Sequence, residues 1–247
     1  MWCWWTSRAS EPLPDRYGPG EQAALVHRLV RELDLPRLTL VGHSLGGGIA
    51  LLTALRLLDD PGPGATPLRR LVLVAAAAYR QKLPPFAVLG RWPRTSLLLL
   101  RALGVSNVIR WTLRSIVYDP EAVTAGQVAG YAGPLDTPGG RRSLVAAAGQ
   151  VVPPDLDELT ARYPEIEVPT LLLWGREDPV VPLWVARRLE AELPRARLEI
   201  LERCGHSPPD ELPQRSLAGV TRFLDAHPSP PGDLTEGDAP GPASTAS

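Results

Sequence analysis

Cysteine is nearly absent from this 247-residue chain, since only Cys3 and Cys204 occur and two cysteines build no disulfide framework. This fits a reducing compartment, so we expect a cytoplasmic location. Charge of one sign is also not in excess, because 26 Lys and Arg residues stand against 27 Asp and Glu residues. The formal net charge of −1 therefore gives no argument for nucleic acid or a membrane surface as a partner.

Long apolar runs are missing as well. Met1–Trp5 is apolar, but it lacks the basic start and the apolar core length of a signal peptide. The longest later apolar runs, residues 71–78 and 97–100, are too short to span a bilayer. The four histidines form no cluster with metal-ligand spacing, so we expect neither a metal site nor a cofactor.

What the chain does contain is a strand, a serine flanked by glycines, and a helix in direct succession. Leu38–Val41 is typical of a buried strand, residues 42–46 read Gly-His-Ser-Leu-Gly, and Ile49–Leu55 continues at helical spacing. This order predicts a nucleophile elbow, a turn that strains the serine backbone and places the Ser44 Oγ at the head of a helix. Gly42 and Gly46 are expected to let strand and helix pass closely.

Other glycine motifs fit this stretch less well. A dinucleotide fingerprint requires glycine where Ser44 stands, and a P-loop requires a lysine that is not near. A glycine-rich turn with an incidental serine is the remaining alternative. The flanking strand and helix, together with two matches further along the chain, favour the elbow.

Strands and helices alternate around the elbow, which predicts an α/β fold with a parallel sheet of about four strands flanked by helices. The predicted strands are residues 38–41, 68–76, 168–174 and 197–201. The main predicted helices are residues 21–33, the elbow helix to about 58, 183–193 and 212–226. Four apolar residues are expected on one face of the first helix, with the polar residues on the other: Ala24, Leu25, Leu29 and Leu33.

The composition divides the chain into four predicted regions. They are an irregular N-terminal segment (1–19), a core (20–76 and 168–227), a helical insertion (77–167) and a disordered tail (228–247). Segments of helical character, broken by Pro and Gly, fill the insertion, and no strand-like run occurs in it. Its apolar residues can face a cleft as well as a core, although packing is the more frequent role.

Three chemically complementary residues follow the C-terminal ends of predicted strands: Ser44, Asp178 and His206. Ligands bind beyond these ends of a parallel sheet, so the three residues share one rim. A histidine can take the proton that makes serine a nucleophile, and a carboxylate can orient that histidine. A loop-capping aspartate and a hydrogen-bonded loop histidine are the alternatives for each residue taken singly, but the chain order Ser, Asp, His favours a triad.

From residue 11 to residue 226 the chain resembles the α/β-hydrolase superfamily in its lid-bearing branch. The resemblance rests on three pieces of sequence: Val41-Gly-His-Ser-Leu-Gly-Gly47, Leu172-Leu-Trp-Gly-Arg-Glu-Asp-Pro-Val-Val-Pro182 and Cys204-Gly-His-Ser207. It implies Ser44 as the nucleophile, Asp178 as the acid, His206 as the base and Leu45 as the source of an oxyanion-hole N–H. It also implies that residues 77–167 form a lid.

The resemblance further implies hydrolysis of an ester or a related acyl or C–C bond in a small-molecule substrate. The serine argues against the haloalkane dehalogenase and epoxide hydrolase relatives, which carry aspartate at that position. We predict that His43 and Trp111 contact the substrate. The motif itself does not choose among the family's reactions.

The usual beginning of the family pattern is missing from this sequence. Members usually carry several strands and a His-Gly loop before the helix that precedes the elbow, and that loop supplies the second oxyanion-hole N–H. Only 19 residues precede Gly20, no His-Gly dipeptide occurs, and one βαβ unit needs roughly 30 residues. The strand 38–41 is therefore expected to form an apolar sheet edge that invites pairing with another chain.

Two alternatives follow from this departure. In the first, the protein is an active serine hydrolase whose full chain begins earlier. In the second, the short chain is weakly active or inactive and acts as a binding or pairing module through its open edge. The complete set of Ser44, Asp178 and His206 favours the first.

Overall fold

A computed structural model describes residues 17–35, 37–62, 67–82 and 92–228 of the chain. Nearly all of the predicted N-terminal segment and tail lie outside the described residues. The strands are β1 (Leu38–His43), β2 (Leu68–Val74), β3 (Thr170–Gly175) and β4 (Ala196–Leu201). The helices are α1 (Pro19–Glu32), α2 (Leu45–Asp59), α3 (Pro93–Leu103), α4 (Val105–Ile116), α5 (Ala125–Ala132), α6 (Pro138–Ala148), α7 (Leu156–Ala161), α8 (Leu183–Glu192), α9 (Pro208–Glu211) and α10 (Pro213–Ala226).

The four strands form one parallel sheet in the order β1-β2-β3-β4. Strand order follows chain order, so each crossover places its helices on a face of the sheet. All four carboxyl ends therefore lie at the same edge, and the loops that follow them share that edge. The predicted α/β fold with a parallel sheet of four strands is confirmed.

Alternate residues of β3 fill the two halves of the core. Leu172 and Trp174 belong to a large cluster that includes side chains of α2 and α8. Leu171 and Leu173 point to the opposite face and pack in a smaller cluster with Phe223 of α10. This alternation follows from the two-residue period of a strand, and it makes β3 apolar on both faces.

The β1 side of the sheet is less covered than the β3 side. Among the described strands, β1 pairs with β2 alone, and Val41 is 60% exposed. On α1, Ala23 and Val30 are buried, whereas Leu29 is 46% exposed and Leu33, the residue after the helix, is 57% exposed. Leu29 and Leu33, which are predicted to share one apolar face, are therefore left largely uncovered by the described residues.

The helices α3 to α7 form one segment between β2 and β3, here called the helical segment (residues 92–167). Its described residues contain no strand. Thr124 begins α5 with a reciprocal capping box to Gln127, and Thr137 caps α6 through the N–H of Gly140. The longest of the described helices, α2, has 15 residues, and none of them is both long and apolar enough to cross a bilayer.

Candidate active site

Ser44 occupies a strained turn between β1 and α2. Its φ of 54° and ψ of −121° lie outside the regions that non-glycine residues usually adopt. The Ser44 N–H donates to the Val74 carbonyl at 2.9 Å, and the Ser44 carbonyl accepts the N–H groups of Gly47 at 3.0 Å and Ala77 at 2.9 Å. These bonds hold the strained backbone, and the strain predicted for the serine of the elbow is confirmed.

Gly42 and Gly47 make the close approach between strand and helix. A Cβ on Gly42 would lie 2.7 Å from the carbonyl carbon of Gly46, and a Cβ on Gly47 would lie 2.8 Å from the Ala76 Cα. Apart from its chain neighbours and the backbone of α2, no described residue has an atom within 4 Å of a Cβ built on Gly46. The prediction that Gly46 relieves a Cβ clash is therefore wrong, because Gly47 is the helix residue that faces the end of β2.

His206 lies between Ser44 and Asp178 and makes a hydrogen bond with each. Its Nε2 is 2.8 Å from the Ser44 Oγ, although the two residues are 162 positions apart in the chain. Its Nδ1 is 2.9 Å from the Asp178 Oδ2. The fold brings these three residues together from the loops that follow β1, β3 and β4.

The second carboxylate oxygen of Asp178 is bound by the backbone. Asp178 Oδ1 accepts the N–H groups of Val180 at 2.8 Å and Val181 at 2.9 Å, and the aspartate is only 7% exposed. With Oδ1 held in this way, Oδ2 accepts the Nδ1–H of His206 through a charge-assisted bond. This contact favours the tautomer in which the unprotonated Nε2 faces Ser44.

The imidazole of His43 packs against the loop that carries His206. Its Nε2 lies 2.7 Å from the His206 carbonyl oxygen, and the two ring centroids are 5.0 Å apart. Burial, followed by the charge of His206, lowers the pKa of His43 below 6.5, although the bond to the His206 carbonyl and the carboxylates of Asp178 and Asp210 oppose this change. A neutral His43 that donates Nε2–H to the carbonyl fits these contacts.

Two other predicted residues lie on helices that reach the site. Leu45 is the first residue of α2 and follows Ser44, and helix geometry leaves the first N–H groups without an intrahelical acceptor. Trp111 lies on α4 and is 58% exposed. The same helix reaches the site at its end, where the Ile116 carbonyl accepts the His206 N–H at 2.8 Å.

Two glutamates that the sequence did not single out hold the loop of His206. Glu211 accepts N–H groups on both sides of His206, and Glu177 accepts the Cys204 N–H at 3.0 Å. The only local signal for Glu211 is the run Ser-Pro-Pro-Asp at residues 207–210, which has the spacing of a helix start. That pattern predicts a helical turn, but it predicts no contact with a loop.

An open groove of about 430 Å³ lies at the opposite end of the sheet. Leu68, Val168 and Ala226 are among the residues that line it, and they lie at or near the amino ends of β2 and β3 and the end of α10. Ser44, Asp178 and His206 lie beyond the carboxyl ends of the strands. Because ligands of parallel sheets bind at the carboxyl ends, the groove is not part of this site.

Comparison with known proteins gives a family match over most of the chain. A model described as "Alpha/beta hydrolase family" matches residues 5–219. The chain is 28% identical over 207 residues to the uncharacterized hydrolase YugF of Bacillus subtilis (strain 168). This match covers 82% of this chain and 70% of that protein. It is 31% identical over 184 residues to a 2-hydroxy-6-oxononadienedioate/2-hydroxy-6-oxononatrienedioate hydrolase of Cupriavidus pinatubonensis. This second match covers 71% of this chain and 57% of that protein.

A solved structure shares the overall architecture. The meta-cleavage product hydrolase CumD from Pseudomonas fluorescens IP01, in a mutant form complexed with acetates, superposes with a TM-score of 0.68. The identity is 25%, and the match covers 88% of this chain and 75% of that chain. In each of these comparisons the chain spans only part of the related protein, and for the Cupriavidus hydrolase that part is less than two thirds.

Proposed function

This chain belongs to the alpha/beta hydrolase family, and we propose that it is a serine hydrolase with Ser44, His206 and Asp178 as its catalytic triad. The observation that supports the proposal best is the continuous chain of hydrogen bonds from the Ser44 Oγ to the His206 Nε2 (2.8 Å) and from the His206 Nδ1 to the Asp178 Oδ2 (2.9 Å). The substrate is a small molecule, and the bond that is cleaved is an ester or a related acyl or C–C bond.

In the first half of the reaction Ser44 attacks the carbonyl carbon of the substrate. The Oγ forms a bond to that carbon while the His206 Nε2 takes the hydroxyl proton. The imidazolium is stabilised by Asp178, whose carboxylate is already held by two backbone N–H groups. His206 then gives its proton to the leaving group as the tetrahedral intermediate collapses to an acyl-enzyme.

In the second half of the reaction water releases the acyl group. His206 takes a proton from the water, whose oxygen attacks the acyl carbon, and returns that proton to the Ser44 Oγ as the ester bond breaks. The negative charge on each tetrahedral intermediate is stabilised by the Leu45 N–H and by the positive end of α2. Loss of one such donor typically costs on the order of 10² to 10³ in turnover.

The helical segment is the lid of the site in this proposal. The contact between the Ile116 carbonyl and the His206 N–H supports this role, because it joins α4 directly to the catalytic histidine. Trp111 lies five residues before Ile116 on α4 with much of its surface exposed, as a substrate contact requires. The printed names of the Cupriavidus and Pseudomonas relatives favour C–C bond hydrolysis as one of the reactions to test.

Covalent labelling of the serine tests the proposal. We expect a fluorophosphonate probe to label the purified chain, and the Ser44→Ala variant to stay unlabelled with little change in its free energy of unfolding. Turnover of p-nitrophenyl acetate should fall by at least about 10³-fold in both Ser44→Ala and His206→Ala. A folded wild-type chain that takes up no label, or a His206→Ala variant with full activity, would contradict the triad.

A second candidate function is pairing with another copy of this chain through the edge of β1 that pairs with no described strand. The observation that favours it is the exposure of Val41, at 60%, on a strand with one described neighbour. Unpaired strand edges offer backbone N–H and C=O groups that a second strand can bind.

Sedimentation velocity tests this second candidate. Pairing predicts a dimer whose fraction rises with protein concentration, and Val41→Lys should convert it to monomer because a charge on an edge strand opposes strand addition. The matched change Leu217→Lys places a lysine on α10, at a leucine that is 68% exposed, and should leave the dimer intact. A wild-type chain that remains monomeric at all concentrations would reject the pairing role.

A further inference from the structure

The loop that carries His206, here called the histidine loop (residues 202–207), has no regular secondary structure. It follows β4, and Arg203 within it has a φ of 58°. A catalytic base must nevertheless stay within hydrogen-bond reach of its nucleophile. The contacts that hold this loop therefore decide whether the imidazole remains in place.

Two residues outside the histidine loop, Ile116 and Glu211, accept the successive backbone N–H groups around His206. The His206 N–H donates to the Ile116 carbonyl at 2.8 Å. The preceding N–H, of Gly205, donates to Glu211 Oε2 at 2.9 Å, and the following N–H, of Ser207, donates to Glu211 Oε1 at 3.0 Å. The carboxylate of Glu211 thus accepts hydrogen bonds from the backbone on both sides of His206.

The same carboxylate also binds the helical segment. Glu211 Oε2 accepts the Tyr118 N–H at 2.7 Å, two residues beyond the end of α4. Glu211 therefore receives three backbone N–H groups, and bonds of this kind to an ionised acceptor are stronger than neutral ones. The Glu211 side chain therefore connects the histidine loop to residues 116–118 through hydrogen bonds.

The two backbones touch at Gly205. A Cβ on Gly205 would lie 2.5 Å from the Ile116 carbonyl oxygen, 2.8 Å from the Tyr118 nitrogen and 2.9 Å from the Val117 carbonyl carbon. These separations are too short for a side chain, so an alanine would push the loop and the helical segment apart. Gly205 and Glu211 thus both support the contact between the histidine loop and residues 116–118. Gly205 has no side chain that would separate the two backbones, and Glu211 binds N–H groups of both.

We propose that Glu211 is a positioning residue that fixes the His206 imidazole by clamping the backbone on both sides of it to residues 116–118. The inference rests on the proposed function, because it assigns Glu211 to the catalytic base of that reaction. Its consequence is that the helical segment and the catalytic histidine move together. A shift of residues 116–118 is transmitted to the Nε2 that faces Ser44.

The test uses Glu211→Gln, Gly205→Ala and a control in the same loop, Glu202→Gln. The glutamine keeps the size of the glutamate but replaces one acceptor oxygen by an NH₂ group that opposes a backbone N–H. Glu202 is exposed and pairs with Arg176, so its change removes a carboxylate from the histidine loop without touching the clamp. Thermal unfolding of each variant establishes that the compared samples are folded.

The first readout is the rate of labelling by a fluorophosphonate probe. We expect Glu211→Gln and Gly205→Ala to react between about tenfold and a hundredfold more slowly than wild type, because small displacements of reacting groups carry penalties of this size. Glu202→Gln should react within about twofold of wild type. With p-nitrophenyl acetate the loss should appear in kcat, with KM little changed, because the clamp positions the base and does not contact the substrate.

The second readout does not depend on activity. The His206 Nδ1–H that bonds to Asp178 should give a low-field proton resonance in wild type and Glu202→Gln, identified by its loss in His206→Ala. In Glu211→Gln and Gly205→Ala this resonance should broaden or shift, which a uniform loss of stability would not produce in folded molecules.

The outcomes separate this inference from the proposed function. Unlabelled wild-type protein would overturn the proposed function. The His206 Nδ1–H resonance, compared between wild type and Glu211→Gln, would then be the measurement that tests whether Glu211 positions His206. Labelling at the wild-type rate together with an unchanged resonance in Glu211→Gln would overturn the inference while leaving the triad intact. If Glu211→Gln fails to fold, Gly205→Ala decides: slow labelling supports the clamp, and wild-type labelling rejects it.

Discussion

Strands β1 and β3 both begin as apolar runs, yet the fold buries them to different extents. All six residues of β3 are buried, and neighbouring strands pair with it on both sides. In β1 only Gly42 is fully buried, and Val41 is 60% exposed. The aspartate of the candidate site therefore follows an interior strand, whereas its serine follows the strand at one edge of the described sheet.

This difference shows how each half of the site is kept in place. Asp178 is held by the loop between β3 and α8 that carries it, through the N–H groups of Val180 and Val181, above a strand that is packed on both faces. Ser44 depends on bonds to Val74 and Ala77, which belong to β2 and the residues beyond it. The strained serine is thus supported from β2 and from the first turn of α2, whose Gly47 N–H donates to the Ser44 carbonyl.

The largest expected effect comes from paired valines on neighbouring strands. Val41 and Val72 are register partners across β1 and β2, and Val72 is completely buried. We expect Val72→Ala to lower the free energy of unfolding by about 2 to 3 kcal/mol, because two methyl groups leave the core and a cavity remains. Val41→Ala should cost less than about 0.5 kcal/mol, because the removed methyl groups are largely in contact with water.

Urea unfolding of both variants measures this contrast, with the slope against urea serving as the check that each still unfolds in two states. Equal losses of unfolding free energy in Val72→Ala and Val41→Ala would contradict the difference in burial between the two strands. That result would mean that the outer side of β1 is covered in solution, either by another copy or by residues that the described ranges do not include.

A smaller effect is expected from His43, which joins the elbow to the histidine loop. Its pKa in the folded chain is lowered, chiefly by burial, from an ordinary value of 6.5. As the pH falls through 6.5, the unfolded chain takes up a proton at His43 before the folded chain does, so unfolding becomes more favourable. The contribution of His43 to stability is therefore complete above this pH and is lost progressively below it.

The variant His43→Gln isolates this contribution. Glutamine can still donate a hydrogen bond to the His206 carbonyl but does not titrate. We expect the free energy of unfolding of wild type to fall more steeply between about pH 7.5 and about pH 5.5 than that of His43→Gln. Identical pH slopes for the two proteins would show that His43 takes up protons equally in the folded and unfolded chains.

The parts of the fold that the sequence predicted are those that local patterns encode. The strand Leu38–His43, the strained Ser44 and the start of α2 follow from a short apolar run, the Gly-x-Ser-x-Gly spacing and helical periodicity. The prediction failed where a neighbour elsewhere in the chain decides the outcome. The glycine that approaches Ala76, just beyond β2, is Gly47 and not Gly46.

The candidate site also contains residues that local patterns predict and a residue that they do not predict. Ser44, Asp178 and His206 could be named from motifs and their order, since each follows a strand that local patterns reveal. Glu211 could not, because its role arises from three backbone N–H groups, one of which, that of Tyr118, is 93 positions away. No periodicity carries information over such a distance.

By itself, the sequence determined the α/β class, and it predicted Ser44, Asp178 and His206 as the candidate site residues, because hydrophobic period and turn chemistry act over a few residues. Only the tertiary structure decided the 2.8 Å approach of the His206 Nε2 to the Ser44 Oγ, the exposure of β1 and the clamp at Glu211. These features depend on which elements lie side by side, and packing of the whole chain settles that arrangement.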